Sequence, residues 1–462
     1  MKLALVHHLA ANEETPISLK TITGKPQLRS KILRVGTDLF IAIVCGLMFG
    51  LTIQGIIISM ADKTVLGSRD FVVFWATGEQ LAHHANPYDG VVLLRTERAS
   101  GLSTRYGVMY MRNLPFALPL VYPLGFLSLQ LASVMWTLLL AACLAASVYM
   151  LWLMHGRPKG SRHWLGYSFG PALLCLLMGQ STILALFGLV LFLRFHRSRP
   201  FVAGISLWLC MLKPHLFLPF AVVLLAWIVV SRSYRILIGA GAALAASLWI
   251  TYLIDPMAWI QYLQMARRSG IQMEFIPCIS VVMRFWISKG SVWLQYAPAV
   301  LACVWALGYF WPRRFTWDWV KDNGSLLMLV SLVSAPYSWL YDSSIAIPAL
   351  LQGAFVTRIR SLVVALAFLS ALTEAALLGN LVRPSAIYLW TIWSAPAWLV
   401  WYLAARTPSS KWLSAWTALR SMKRFRARPE VKKTCSDAGE LEEKSNSARV
   451  QERIVGEELR SD

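Results

Sequence analysis

The chain has 462 residues, of which 57% are hydrophobic and only 15% charged, with a mean hydropathy of +0.55. A soluble globular domain carries about a quarter charged residues, so the composition excludes that class and points to a polytopic α-helical membrane protein. The formal net charge of +21 is better read as basic cytoplasmic loops facing anionic lipid than as a nucleic-acid surface.

Residues 1–38 are polar and basic, with Lys20, Lys25, Arg29, Lys31 and Arg34. They contain no apolar core ending in a small-residue cleavage site, so no cleavable signal peptide is expected and the segment reads as cytoplasmic. Leu39–Met60 is the first span. Residues 61–129 form a long first outer loop. Within it, Ser68 to Asp89 gathers Arg69, Asp70, Glu79 and Asp89 with Phe71, Phe74, Trp75 and Tyr88, and stops at Asn86-Pro87. The apolar, proline-interrupted stretch 114–129 reads as an interfacial or re-entrant segment.

Leu131–Met154 returns to the cytoplasm. Two pairs of short apolar pieces follow: 164–178 and 181–193, split by Gly179-Gln180-Ser181, then 201–212 and 216–230, split by Lys213-Pro214-His215. Read as hairpins, they put Gln180 and Lys213 on the outer side. Read as two long broken helices, they upset the alternation of basic loops. Ile236–Ile254 goes out to a second outer region, 255–291, with Asp255, Arg267, Arg268 and Glu274. Val292–Phe310, Leu326–Ala335, Ser343–Val356, Leu362–Leu378 and Ile387–Ala404 complete the run. Residues 39–405 are thus expected to form one multi-span domain of about twelve crossings, some short or re-entrant, with both termini cytoplasmic. Residues 406–462 read as a basic, partly disordered cytoplasmic tail.

This topology collects the unusual polar residues on the outer face: Asp70, Arg112, Gln180, Lys213, His215, Asp255, Glu274, Tyr341 and Asp342. Ionisable groups at the ends of spans or at breaks in them are costly, which marks them as functional candidates. A carboxylate facing cations and aromatics suits a site that deprotonates a hydroxyl and holds a phosphate. Each residue also has a plainer reading: Asp70 as a helix N-cap, Lys213 as a snorkelling cation, Gln180 as a cap, Asp342 as a structural ion-pair partner. The adjacent His83 and His84 point apart and do not suit a metal. Of the seven cysteines, six (Cys45, Cys143, Cys175, Cys210, Cys278 and Cys303) lie in or beside apolar runs without C-x-x-C spacing. There is no P-loop, dinucleotide glycine fingerprint, H-E-x-x-H or G-x-S-x-G.

Five clusters carry a family resemblance. They are Arg69-Asp70-Phe71 with Phe74-Trp75, Gly78 and Asn86-Pro87-Tyr88-Asp89; Leu114-Pro115-Phe116 through Tyr122-Pro123-Leu124; Gly179-Gln180-Ser181-Thr182; Leu212-Lys213-Pro214-His215; and Ser334-Ala335-Pro336-Tyr337-Ser338-Trp339 with Tyr341-Asp342. In this order the chain resembles glycosyltransferase family 87. It departs from that family at His84-Ala85, where a glycine is usual, and at Tyr341-Asp342, where some members have histidine.

The resemblance implies a C-type membrane glycosyltransferase fold in a bacterial inner (plasma) membrane, with the active site on the outer face. It implies transfer of a hexose, often mannose, from a polyprenyl-phosphate donor to a lipid or glycan hydroxyl, by a single inverting displacement without metal or cofactor. Asp70 would be the general base. Lys213, Arg112 and His215 would meet the donor phosphate, and Gln180, Asp342, Tyr341 and Trp75 would contact sugar or acceptor. The partners are then the lipid-linked donor, the acceptor and membrane lipid, with no nucleic acid. The alternative is a transporter or flippase of polyprenyl-linked glycans or lipids, which calls for charge near the membrane midplane and for internal repeats.

Overall fold

The apolar runs fold as helices, the open element that satisfies its own backbone away from water. The computed structural model describes residues 24–407 apart from 105, 271–273, 277 and 383–385. Most of the expected N-terminal cytoplasmic segment, nearly all of the basic tail and Cys435 therefore lie outside the described residues. Among the described residues every regular element is helical.

Four helices are long and apolar enough to cross a membrane: Val35–Ala61, Leu129–Met154, Arg235–Ile254 and Trp293–Arg313. Only 22% of the most apolar window of Val35–Ala61 is covered by protein. Ile43, Leu47 and Ile57 on it are exposed, as suits side chains that meet lipid. Two further helices near the C-terminal end, Arg360–Val382 and Ala386–Arg406, have 23 and 21 residues.

The remaining apolar helices are shorter. Gly170–Met178, Thr182–Phe195, Pro200–Met211 and Leu218–Ser231 have 9, 14, 12 and 14 residues. At 1.5 Å per residue each falls short of a hydrocarbon layer of about 30 Å. They are broken where the sequence reading placed the breaks, at Gly179–Ser181 and at Lys213–His215. Thr182–Phe195 is well enclosed, with Ile183, Ala185, Leu186, Leu189, Val190 and Phe192 all fully buried, whereas Pro200–Met211 and Leu218–Ser231 each keep an exposed face, with Phe201 and Ile205 on the first and Leu225 and Val229 on the second. Protein rather than lipid surrounds the broken backbone, which is the condition for irregular structure at membrane depth.

The segment between the first two spans, expected on the outer face, is also helical. Lys63–Gly67, Phe71–Ala82 and Gly90–Ala99 follow one another, and 115–126 forms a chain of short helical turns. The Phe71–Ala82 helix presses on that segment with no side chain between. A Cβ on Gly78 would lie 2.3 Å from the Val121 carbonyl oxygen, and one on Gly125 2.0 Å from the Gly78 oxygen. Because this contact seats the helix that begins beside Asp70, Gly125→Ala should lower stability by about 1–3 kcal/mol. Thermal unfolding of the purified protein would then show a lower midpoint than wild type; an unchanged midpoint would mean that the backbone contact is not needed.

Candidate active site

Arg69 and Asp70 lie in the turn between Lys63–Gly67 and Phe71–Ala82, and their side chains take different surroundings. Arg69 is 2% exposed. Its Nε donates to the Leu177 carbonyl (2.7 Å), Nη1 to Ser133 Oγ (2.6 Å), and Nη2 to the Leu176 carbonyl (3.1 Å) and Thr137 Oγ1 (3.2 Å). Leu176 and Leu177 belong to the last turn of Gly170–Met178, where carbonyls run short of helical partners and the dipole favours a cation; the Leu176 carbonyl also takes the Gly179 amide at 3.3 Å. The guanidinium thus joins the turn before Phe71–Ala82 to the end of one short helix and to the start of the Leu129–Met154 helix.

Asp70 precedes the Phe71–Ala82 helix, but its side chain caps nothing there. It accepts a hydrogen bond from Gln180 Nε2 at 2.8 Å instead. Gln180 is in turn fixed by its backbone. Gly179 adopts φ 74°, and a Cβ there would lie 2.7 Å from Phe71 Cβ; both conditions favour glycine. Trp136 Nε1 donates to the Gly179 carbonyl (2.7 Å), and the Gln180 amide N–H donates to the Cys175 carbonyl (3.0 Å).

Two residues further on, Thr182 Oγ1 donates to Asp342 Oδ1 at 2.7 Å. Asp342, 1% exposed, also accepts from Lys213 Nζ at 2.7 Å on the same oxygen and from the Trp339 amide at 2.8 Å on Oδ2. The Lys213 ammonium lies 4.7 Å from the Tyr341 ring centroid, within cation–π range. Lys213 comes from the break between Pro200–Met211 and Leu218–Ser231. Asn113 Nδ2 ties that break to the segment between the first two spans by donating to the Leu212 carbonyl at 2.7 Å. His215, in the same break, stacks on Tyr337 with ring centroids 3.7 Å apart.

Burial raises the Asp70 carboxyl above the ordinary carboxylate range. The Gln180 hydrogen bond and the charges of Lys213 and Arg112 oppose this, while the charge of Asp342 adds to it. Arg112 itself forms an ion pair with Glu274, both partly exposed. Glu97, fully buried, accepts from the Met109 amide at 3.1 Å and so fastens the segment that leads to Arg112; burial moves its carboxyl up to about 7.

Of the residues singled out in the sequence, Asp70 and Gln180 form one contact and Lys213, Asp342 and Tyr341 another. Thr182, two residues after Gln180, donates to Asp342 in the second contact. His215 adjoins the second contact in sequence and stacks on Tyr337. Trp75 is not in this cluster. It is about 140° round the helix from Asp70 at 100° per residue, its indole N–H is used on the Leu127 carbonyl at 2.9 Å, and its ring lines a separate groove. Arg69 and Thr182 stood in the sequence clusters without a role. The signal for each was adjacency, Arg69 beside the acid and Thr182 in the same break as Gln180.

The model of glycosyltransferase family 87 matches residues 113–341. The interval takes in Gln180, Thr182, Lys213, His215 and Tyr341 and stops one residue before Asp342; Asp70 and Arg112 precede it. No curated protein and no solved structure matches the chain.

Arg69 should not tolerate replacement. Arg69→Met leaves the Leu176 and Leu177 carbonyls and two hydroxyls without their donor, at a cost of about 3–5 kcal/mol. Arg69→Lys keeps the charge but not the planar fork, and should lie between. Detergent-extracted protein followed by thermal unfolding would rank the three; equal midpoints would show that the guanidinium network contributes nothing.

Proposed function

The chain belongs to glycosyltransferase family 87 and is a membrane glycosyltransferase, and on that premise we propose that it moves a hexose, mannose in the first instance, from a polyprenyl-phosphate donor to a lipid or glycan hydroxyl. The reaction runs on the outer face of a bacterial inner membrane. Asp70 takes the proton of the acceptor hydroxyl as that oxygen bonds to the anomeric carbon. The bond from that carbon to the phosphate oxygen breaks on the opposite side. Polyprenyl phosphate leaves with the electron pair, and the configuration inverts.

The observation that carries this reading is the setting of Asp70. Its carboxylate is not spent on capping a helix, is oriented by Gln180, and lies within electrostatic reach of Lys213 and Arg112. A general base needs a fixed direction and a proton affinity raised toward working pH; burial supplies the second. The leaving phosphate gains negative charge, which fixed cations stabilise. An ammonium has three donors. Lys213 uses one on Asp342 and keeps two for phosphate oxygens. His215 offers a ring nitrogen to the same oxygens, its Nε2 being buried without a protein partner. Gln180, Tyr341 and Asp342 border the same space and are assigned to sugar or acceptor.

Membranes containing wild type or Asp70→Asn, matched for expression, test the reading with a panel of radiolabelled polyprenyl-phosphate sugars. Wild type should transfer label, and the variant should be slower by about 10²–10⁴-fold, the usual contribution of a general base. Transfer at the wild-type rate by a folded Asp70→Asn protein would remove Asp70 from its role.

The pH profile gives a second check. Asp70 acts only when ionised, so kcat/KM should fall as pH drops through its pKa. Because burial raises that pKa, the acid limb should lie above the ordinary aspartate value of about 3.9. Residual turnover by Asp70→Asn should lack the limb. A limb that persists in the variant belongs to another group.

A further inference from the structure

A second polar site lies away from the Asp70 cluster. A groove of about 430 Å³ is lined by Lys63, Trp75, Glu79, Arg95, Thr96 and Gln130, among others. Its position follows from the chain. Lys63 comes two residues after the Val35–Ala61 span ends, and Gln130 is the second residue of the Leu129–Met154 helix. The groove therefore lies where two spans leave the apolar layer, at headgroup depth. Trp75 is fixed there by its N–H bond to the Leu127 carbonyl, and Tyr or Trp at that depth is amphipathic by habit.

The charges in the groove are arranged but uncommitted. Buried Gln80 lies behind Glu79 and Thr96, its amide donating to Glu79 Oε2 at 3.2 Å and to Thr96 Oγ1 at 3.4 Å. The ion pairs found among the described residues are Arg112–Glu274 and Lys213–Asp342, so Lys63, Arg95 and Glu79 are in none. The groove thus offers two cations, one carboxylate and an indole ring.

We infer that this groove binds the headgroup of a zwitterionic, amine-bearing phospholipid, with its phosphate between Lys63 and Arg95 and its ammonium on Glu79 and the face of Trp75. The charge count favours this occupant over a neutral glycan, which has no use for two unpaired cations. The single acid favours it over a purely anionic lipid, whose phosphate Glu79 would repel. The ammonium adds a cation–π contact with Trp75. The inference does not depend on which sugar the enzyme moves or on the role of Asp70.

The test uses the full chain, delipidated in detergent, with native mass spectrometry of bound phosphatidylethanolamine and phosphatidylglycerol over a concentration series. Wild type should bind one phosphatidylethanolamine saturably and prefer it to phosphatidylglycerol. Lys63→Ala/Arg95→Ala removes two exposed, unpaired side chains and should weaken binding about thirtyfold, the order expected for two headgroup cations. Glu79→Gln should erase the preference while leaving phosphatidylglycerol binding at least as tight. Unchanged binding by the double variant, or an unchanged preference in Glu79→Gln, would overturn the assignment. Displacement of the lipid by a soluble neutral oligosaccharide would also overturn it and make the groove a glycan subsite.

Discussion

A guanidinium cut off from water must find its acceptors in the protein, and the arrangement around Arg69 follows from that requirement. Its acceptors come from the Leu129–Met154 span and from the frayed end of Gly170–Met178. A helix end in an apolar interior has the complementary problem, since its last carbonyls lack donors. Each defect satisfies the other. The geometry near the base is then determined: the helix end that receives Arg69 continues through Gly179 to Gln180, and Gln180 orients Asp70. The residue before the acid and the residue that holds it are fixed to the same short helix.

The broken helices serve the same end. A continuous span would carry its polar side chains into lipid or bury them without partners. Interrupting the backbone at Gly179–Ser181 and Lys213–His215 lets Gln180 reach Asp70 and brings Thr182 and Lys213 to Asp342. Asp342 accepts from Thr182, Lys213 and the Trp339 amide. Its charge is thereby distributed over three donors, which suits a buried carboxylate. It also holds Lys213 in place without using all of its donors.

How much of this was legible in the sequence depended on range. Helix positions and both breaks could be read because apolar runs, glycine and proline act locally. The short first-loop helices fell inside a stretch already marked by its charge. The partnerships could not be read. Gln180 meets Asp70 across 110 positions and Thr182 meets Asp342 across 160, and no local rule selects them. Asp70 as an N-cap was a fair local reading, yet its side chain is drawn to Gln180 instead. Trp75 shows the same limit: closeness to Asp70 in sequence does not fix the direction of a side chain on a helix, and its indole turns to the Leu127 carbonyl. His215 stacks on Tyr337, a pairing that no local rule selects either. The expectation of about twelve crossings rested on alternation of basic loops. Length and apolarity qualify four helices among the described residues, and the shorter apolar ones fall below the length that rule needs.

The division of labour between rigid and less rigid parts follows from the same distances. Lys213 and Asp342 are buried, whereas Arg112 comes from the segment between the first two spans and is partly exposed beside Glu274. In the proposed reaction the donor has a long apolar tail and must enter from the membrane, so its phosphate needs a cation that is already in place. Lys213, fixed between Asp342 and Tyr341, meets that need. A cation on a surface ion pair is worth less in place, because water screens it, but it can change partners at little cost when an anion arrives. In the proposed reaction Arg112 would supply the second, more adaptable cation, exchanging Glu274 for a phosphate oxygen. The buried Glu97 contact with Met109 limits how far that segment can travel.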